Sequence, residues 1–126
     1  MYIRFVTNEV SDESSQKLGV FHAIRYMRDD DLLTTAELEK ANQIVGWFAS
    51  NLESPLDHLN KQKSKKSEIY ISWFKSSAKE HISKARGLNE ILEDNDITVE
   101  MLSTATPGKL VYEDQFQIFA KPFKVF

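Results

Sequence analysis

One stretch decides the fold: IYISWF at residues 69–74, a helical repeat at residues 77–94 and TVEML at residues 98–102. The first segment is rich in β-branched and aromatic residues, which favours a strand. Its apolar side chains fall on both faces of that strand, a pattern typical of an interior position in a covered sheet. The stretch predicts a βαβ unit whose two strands are parallel neighbours or near-neighbours.

The helix of this unit is predicted from apolar residues that recur at steps of three and four. They are Ala78, Ile82, Ala85, Leu88, Ile91 and Leu92. Ser77 and Glu80 have the spacing of a capping box, which predicts where the helix starts. Asn95 tolerates the left-handed conformation that often ends a helix.

The N-terminal half predicts one strand and two helices. The first seven residues alternate as a strand does, with Ile3 and Phe5 on one face. A polar segment at residues 11–15 precedes a stripe from Leu18 to Met27, which predicts a helix. A second helix is predicted from Thr34 to Leu52, because Thr34 and Glu37 form another capping-box spacing.

The C-terminal part predicts a β-hairpin, with strands at residues 109–112 and 116–120 joined at Glu113 and Asp114. The complete order is β-α-α-β-α-β-β-β in a mixed sheet of about five strands, an α+β or small α/β fold. The chain forms a single domain, 1–126: a strand with two covering helices (1–60), a Lys-rich connector (61–67), and the βαβ unit with the hairpin (68–126). The predicted buried core is Leu38, Val45, Phe48, Ile71, Trp73, Ile82, Ala85, Leu92 and Ile118.

Composition excludes several classes of function. The chain has no cysteine, which rules out disulfides, thiolate metal sites and cysteine nucleophiles. His22, His58 and His81 are far apart and lack the spacing of metal ligands, so neither a metal nor a cofactor is predicted. No apolar run approaches membrane-spanning length, and the N-terminus lacks a signal pattern. These features predict a cytoplasmic protein without membrane contact.

The carboxyl ends of the two βαβ strands are the predicted ligand site, because ligands gather at that edge in such units. The first helical turn offers unpaired amides and positive potential there, which favour an anion. The candidate residues are Lys75, Ser76, Ser77, Lys79, His81, Thr104, Thr106 and Gly108. The alternative is ordinary structure, with Ser77 as a helix cap, solvated lysines and a turn at Pro107 and Gly108.

A catalytic alternative assigns His81 as general base, with Lys75 or Lys79, in a small hydrolase or transferase. No partner acid for His81 can be assigned from the sequence. The carboxylates of Glu113 and Asp114 are predicted at the opposite end of the sheet from Lys75. The sequence therefore favours a non-enzymatic binding module, for a protein partner or an anionic small molecule, with homo-oligomer formation as a further possibility.

The segment from Lys61 to Lys66 is the other charged feature of the chain. Its four lysines suggest a nucleic-acid contact, yet no aromatic or arginine residue lies between them. The formal net charge of the whole chain is −3. A solvated connector is therefore favoured over nucleic-acid binding.

Several short motifs resemble those of a group of small uncharacterised bacterial proteins. They are Trp73-Phe-Lys75, Ser77-Ala-Lys-Glu-His81, Thr106-Pro-Gly108, Val111-Tyr-Glu-Asp114 and Ala120-Lys-Pro-Phe123. The resemblance covers the C-terminal half more strongly than the N-terminal half. It implies a free-standing bacterial protein and brings no function with it.

Overall fold

The computed structural model describes residues 1–10, 17–54 and 70–123. Its elements are β1 (Tyr2–Val10), β2 (Lys17–Gly19), α1 (Val20–Asp29), α2 (Thr35–Asn51), β3 (Ile71–Lys75), α3 (Lys79–Asp94), β4 (Val99–Thr104), β5 (Lys109–Glu113) and β6 (Gln117–Lys121). Helices and strands alternate irregularly around one sheet. The α+β class predicted from the sequence is confirmed.

The strands form one six-stranded sheet, in which every described pairing is antiparallel. Along the sheet the order is β4-β1-β3-β6-β5. Strand β2 pairs with the second half of β1, on the same side of β1 on which β3 pairs with its first residues. The predicted mixture of parallel and antiparallel pairs was wrong, and the sheet has one strand more than the predicted number of about five. Strand β2 was missed because Leu18 fits the stripe of the following helix, so its apolar side chain gave no separate signal.

The βαβ stretch forms β3, α3 and β4, but its two strands do not touch. Strand β1 lies between them and pairs antiparallel with both, at Tyr2 with Lys75 and at Tyr2 with Thr104. Strands β3 and β4 therefore run in the same direction as near-neighbours, as the sequence predicts. The parallel ladder is absent because the N-terminal strand occupies the space between them.

All three described helices contribute to a core on one face of the sheet. Its largest members are Phe5, Ile24, Met27, Phe48, Phe74, Ile82, Leu88 and Leu92. Alternation along a strand places the neighbours of Phe5 and Phe74 on the opposite face. That second face is also buried at Val6, Ile71, Ile118 and Ala120. Strand β3 is therefore an interior strand with buried residues on both faces, as predicted.

The predicted core residues are not all buried. Phe48, Ile71, Ile82, Ala85, Leu92 and Ile118 are buried. Leu38, Val45 and Trp73 are half-buried, so they lie at the border of the core and not in its interior. Leu38 and Val45 lie at the border of the apolar stripe of α2, where helical periodicity does not distinguish partial from complete burial.

The start of α2 is closed by the predicted capping box. The Thr34 hydroxyl accepts from the amide of Glu37 at 3.2 Å, and the Glu37 carboxylate accepts from the amide of Thr34 at 3.0 Å. Helix α3 differs, because its N-cap is Ala78 and no side chain caps it. The predicted capping box of Ser77 and Glu80 does not form. At its other end Asn95 is the C-cap, but Asp96 adopts the left-handed conformation.

Helices α2 and α3 approach closely at Gly87. A Cβ atom at that position would lie 2.7 Å from Cδ1 of Ile44. Lys40 and Glu90 form an ion pair of 2.8 Å beside this contact. The glycine therefore allows the two helices to pack together and fixes α3 along α2.

The β5–β6 hairpin forms as predicted, but at the other end of the sheet. Phe74 pairs with Gln117 and Glu113 pairs with Ile118, so the turn lies beside the end of β3. The amide of Lys75 donates to the carbonyl of Phe116 at 2.8 Å. The prediction that Glu113 and Asp114 lie opposite Lys75 was therefore wrong.

No helix in the described ranges is long and apolar enough to cross a membrane. The polar segment at residues 11–15 and the Lys-rich connector at residues 61–67 lie outside the described residues. So do the last three residues of the chain.

Replacing Phe48 by alanine is expected to lower the free energy of unfolding by about 3–5 kcal/mol, because it removes a buried aromatic ring. That ring contacts Phe21 edge-on, with centroids 4.8 Å apart, and packs on Phe74. Urea unfolding of the variant measures the effect. Gln43→Ala, an exposed change on the same helix, is the control and should cost well under 1 kcal/mol. Equal stability of the two variants would contradict the assigned core.

Candidate functional site

A cavity of about 310 Å³ opens at the N-terminus of α3. It lies at the sheet end where β3 stops, between the end of α2 and the start of β6. Its lining residues are Asn51, Ser77, Ala78, Lys79, Glu80, His81 and Phe116. The sequence predicts a ligand site at this end of the sheet, and three of the predicted residues, Ser77, Lys79 and His81, line this cavity.

The first turn of α3 presents free backbone donors to this cavity. The amide of Lys79 bonds to the carbonyl of Ser77 at 2.9 Å, and Ile82 makes the first full helical bond to Ala78. Within the described chain the amides of Glu80 and His81 have neither a backbone acceptor nor a capping side chain. Such amides carry the positive end of the helix dipole and can donate to an anion.

His81 is a structural residue of this site. The residue is only 4% exposed, and its ring stacks on Phe116 with centroids 4.2 Å apart. It meets the Trp47 ring edge-on, with centroids 4.9 Å apart. Its Nε2 donates to the carbonyl of Asn51 at 2.8 Å. That carbonyl belongs to the last residue of α2, where backbone acceptors lack helical partners. His81 therefore ties the end of α2 to the start of α3.

Gln117 holds the same segment from the sheet. Its side chain is buried, and its Nε2 donates to the carbonyl of Glu53 at 2.8 Å and to Oδ2 of Asp114 at 3.0 Å. Two buried side-chain donors, from α3 and β6, thus satisfy the backbone that leaves α2. These bonds hold the end of α2 in place, and with it Asn51 of the cavity lining.

Asp114 organises the hairpin turn beside the cavity. Its Oδ1 accepts from the amides of Phe116 and Gln117 at 2.8 and 3.0 Å, and its Oδ2 accepts from the Tyr112 hydroxyl at 2.9 Å. Burial alone would raise the pKa of Asp114, but the bonds from Gln117, Phe116 and Tyr112 outweigh it and hold this pKa below its usual value. The pKa of Tyr112 is raised by burial and by the negative charges of Asp114 and Glu53.

Lys75 is not directed to the cavity. Its ammonium group forms an ion pair with the carboxylate of Glu113 on the face of the sheet opposite the helical core. Ser76 is exposed, and its amide donates to the carbonyl of Met1 at 3.1 Å. Neither residue lines the cavity, although both lie at the predicted end of the sheet.

The residues after β4 do not complete the site. Thr104 lies at the same sheet end, across Tyr2 from Lys75, but its hydroxyl accepts from the amide of Thr106 at 3.0 Å. Gly108 has a φ of 128° and packs so tightly on the Lys121 backbone that a Cβ would overlap the Lys121 carbonyl. Lys121 ends β6 at the far end of the sheet from Lys75. The structure therefore does not bring Gly108 to the start of α3.

Sequence reasoning missed Asn51 and Phe116 as parts of this site. Asn51 reaches it because α2 ends against α3, and Phe116 because the hairpin turn lies at this sheet end. Both placements depend on strand order, which local periodicity does not encode. The one available signal was the pair of aromatic residues on either side of Asp114, Tyr112 and Phe116, which favours a packed turn over a solvated one.

Comparison with known proteins identifies no relative: no family model, curated protein or solved structure matches the chain.

Replacing His81 by phenylalanine should keep the aromatic packing and remove the donor to Asn51. The bond to Asn51 is part-buried, and an intramolecular hydrogen bond contributes about 0.5–1.5 kcal/mol, so the free energy of unfolding should fall by that amount. Urea unfolding at pH 7 measures it. His81→Gln, which retains an N–H donor, is the matched control and should recover part of the loss. A His81→Phe variant as stable as the parent would contradict the structural role.

The lowered pKa of Asp114 predicts a pH-dependent contribution to stability. When folding lowers the pKa of a carboxyl group, its contribution to stability is complete at pH values above its pKa in the unfolded chain, about 3.9. This contribution is lost as the pH falls through the pKa of the folded protein. We expect the stability difference between the parent and Asp114→Asn to be largest near pH 6 and to shrink below pH 4. Unfolding by urea across this range tests it, and a difference that does not change with pH would contradict it.

Proposed function

We propose that the protein is a non-enzymatic binding module that takes a small anionic ligand in the cavity at the start of α3. One observation carries the proposal. An uncapped helix N-terminus faces a cavity of about 310 Å³ that Lys79 also lines. Helix N-termini bind anions because their amides point outward and their dipole is positive.

The lining determines which anions fit. Lys79 forms no ion pair with any described residue, so its ammonium group is available to a ligand, and the Ser77 hydroxyl is exposed beside it. Phe116 supplies an apolar wall. The volume of the cavity lies at the lower end of the range found for small-molecule binding sites. A ligand with one carboxylate or phosphate group and a short apolar body satisfies these conditions.

Glu80 sets a limit on the affinity. Glu80 is a lining residue in the first turn of α3, where its negative charge interacts favourably with the helix dipole and competes with a bound anion for the same positive potential. Lys75 does not compensate, because Glu113 neutralises it. The site is therefore suited to a singly charged group more than to a polyphosphate.

The same contacts argue against the catalytic alternative. A general base must reach its substrate, yet His81 is only 4% exposed, its ring packs against Trp47 and Phe116, and its Nε2 is held by the carbonyl of Asn51. Lys75, its suggested partner, is ion-paired. Nucleic-acid binding through Lys61 to Lys66 concerns residues outside the described ranges and gains no support from them.

A cytoplasmic location and a bacterial origin belong to the same proposal. Their support is the complete lack of cysteine, which suits a reducing compartment, and the motif resemblance noted in the sequence. A protein partner remains an alternative occupant of this sheet end, and the ligand screen described below separates the two.

A thermal-shift screen with inorganic phosphate, acetate, benzoate and a nucleoside triphosphate tests the proposal. A ligand at 100 times its dissociation constant stabilises the folded protein by about 2.7 kcal/mol. We expect a monoanion to raise the melting temperature of the parent and not that of Lys79→Ala. Glu80→Gln should bind more tightly than the parent, because it removes the competing charge.

Lys109→Ala is the matched control, since this exposed lysine lies at the far end of the sheet and outside the cavity lining. It should respond to the anion as the parent does. Absence of a shift with every anion, or equal shifts in Lys79→Ala and Lys109→Ala, would refute the anion site and leave the protein-partner alternative.

A further inference from the structure

Among the described residues, the outer edge of β4 is an open strand edge. Strand β4 pairs with β1 without interruption from Val99 with Thr7 to Thr104 with Tyr2, so it is regular over its whole length. No strand in the described part of the chain pairs with its other side. Glu100, Met101 and Ser103 are exposed, and Met101 is 50% exposed. A regular open edge presents a row of unpaired amides and carbonyls that can accept another strand.

This edge lacks the features that protect open strands. Residues 99–104, VEMLST, contain no proline, glycine or lysine. The single charge, Glu100, is paired with Lys17 at 2.9 Å within the same molecule. Charges, prolines, bulges and short length are the usual means by which monomeric proteins prevent pairing between edges.

The opposite edge of the sheet provides the comparison, because β5 is protected. Its register with β6 shifts between Leu110 and Tyr112, which marks a bulge, and it begins at Lys109 and ends at Glu113. A bulge bends and twists a strand and disrupts a straight ladder. The two edges of one sheet thus differ in their capacity to pair.

We propose that β4 pairs antiparallel with β4 of a second copy of this chain. This interface goes beyond the anion site and does not depend on it. In a symmetric antiparallel pair, opposite residues must both direct their amides toward the partner strand or both away from it. The direction of the amides alternates from one residue to the next. The two-fold axis of the pair must therefore lie between one residue and the same residue of the second copy.

Among the possible centres, Met101 fits the strand best. A centre at Glu100 would oppose two carboxylates, which is destabilising. A centre at Met101 places Glu100 opposite Leu102 and Val99 opposite Ser103, and it brings the two half-exposed methionines together. The interface thereby covers apolar surface that the single chain leaves open, as closed two-fold contacts do.

Sedimentation velocity over a concentration series tests the interface on the full chain. The parent should sediment as two chains, and Met101→Lys should weaken association at least about tenfold, because like charges across an antiparallel pair repel. Leu110→Lys at the β5 edge is the matched control: Leu110 is 40% exposed, and its replacement should leave association unchanged. A parent that stays monomeric at about 0.2 mM, a concentration at which specific dimers of micromolar affinity form, would overturn the proposal. So would equal effects of the two substitutions.

Cysteine cross-linking tests the register, and the natural chain has no cysteine to interfere. In Met101→Cys the facing Cβ atoms would lie about 4.5–5.5 Å apart, close enough for a disulfide after small adjustment. In Ser103→Cys the two thiols would be displaced by about 14 Å along the strands. Air oxidation should therefore link Met101→Cys into a covalent dimer and leave Ser103→Cys unlinked. Equal linking of both variants, or of neither, would overturn the proposal.

Discussion

The backbone that leaves α2 imposes the strongest constraint on this structure. Helix ends carry carbonyl groups without helical partners, and here buried side chains from other elements bond to the backbone at the helix end and after it. His81 bonds to the carbonyl of Asn51, and Gln117 bonds to that of Glu53. These two buried side chains come from α3 and β6, so the contacts of one helix end fix the relative positions of two further elements.

This constraint separates structural polar groups from those available to a ligand. Nε2 of His81, Nε2 of Gln117 and both carboxylate oxygens of Asp114 form hydrogen bonds that join α2, α3 and the hairpin turn. The donors that remain at the same place are backbone amides and the ammonium group of Lys79. A helix that began with a conventional cap would consume those amides. Because the N-cap residue is Ala78, no side chain caps these amides, and the helix lacks the stability that a capping residue would add.

Local features of the fold were predictable and long-range ones were not. The capping box of Thr34, the stripe of α3 and the β5–β6 hairpin each depend on residues within a few positions, and the structure contains all three. The error about Glu113 arose from the connection after β4. A short link normally joins antiparallel neighbours, but here β4 and β5 run in the same direction at opposite edges. That reversal moved the hairpin turn next to Lys75 and added Phe116 to the cavity.

The position of β1 has a consequence for how the chain folds. This first strand is central, yet one of its partners, β4, comes from residues near 100 and another, β3, from residues near 70. Contacts between such distant segments make folding slow, because a long loop must close before the contact forms. During synthesis β1 leaves the ribosome long before β4 exists. Its apolar residues, Phe5 and Val6 among them, then lack their native cover, so nascent chains are exposed to association at this strand until translation has passed β4.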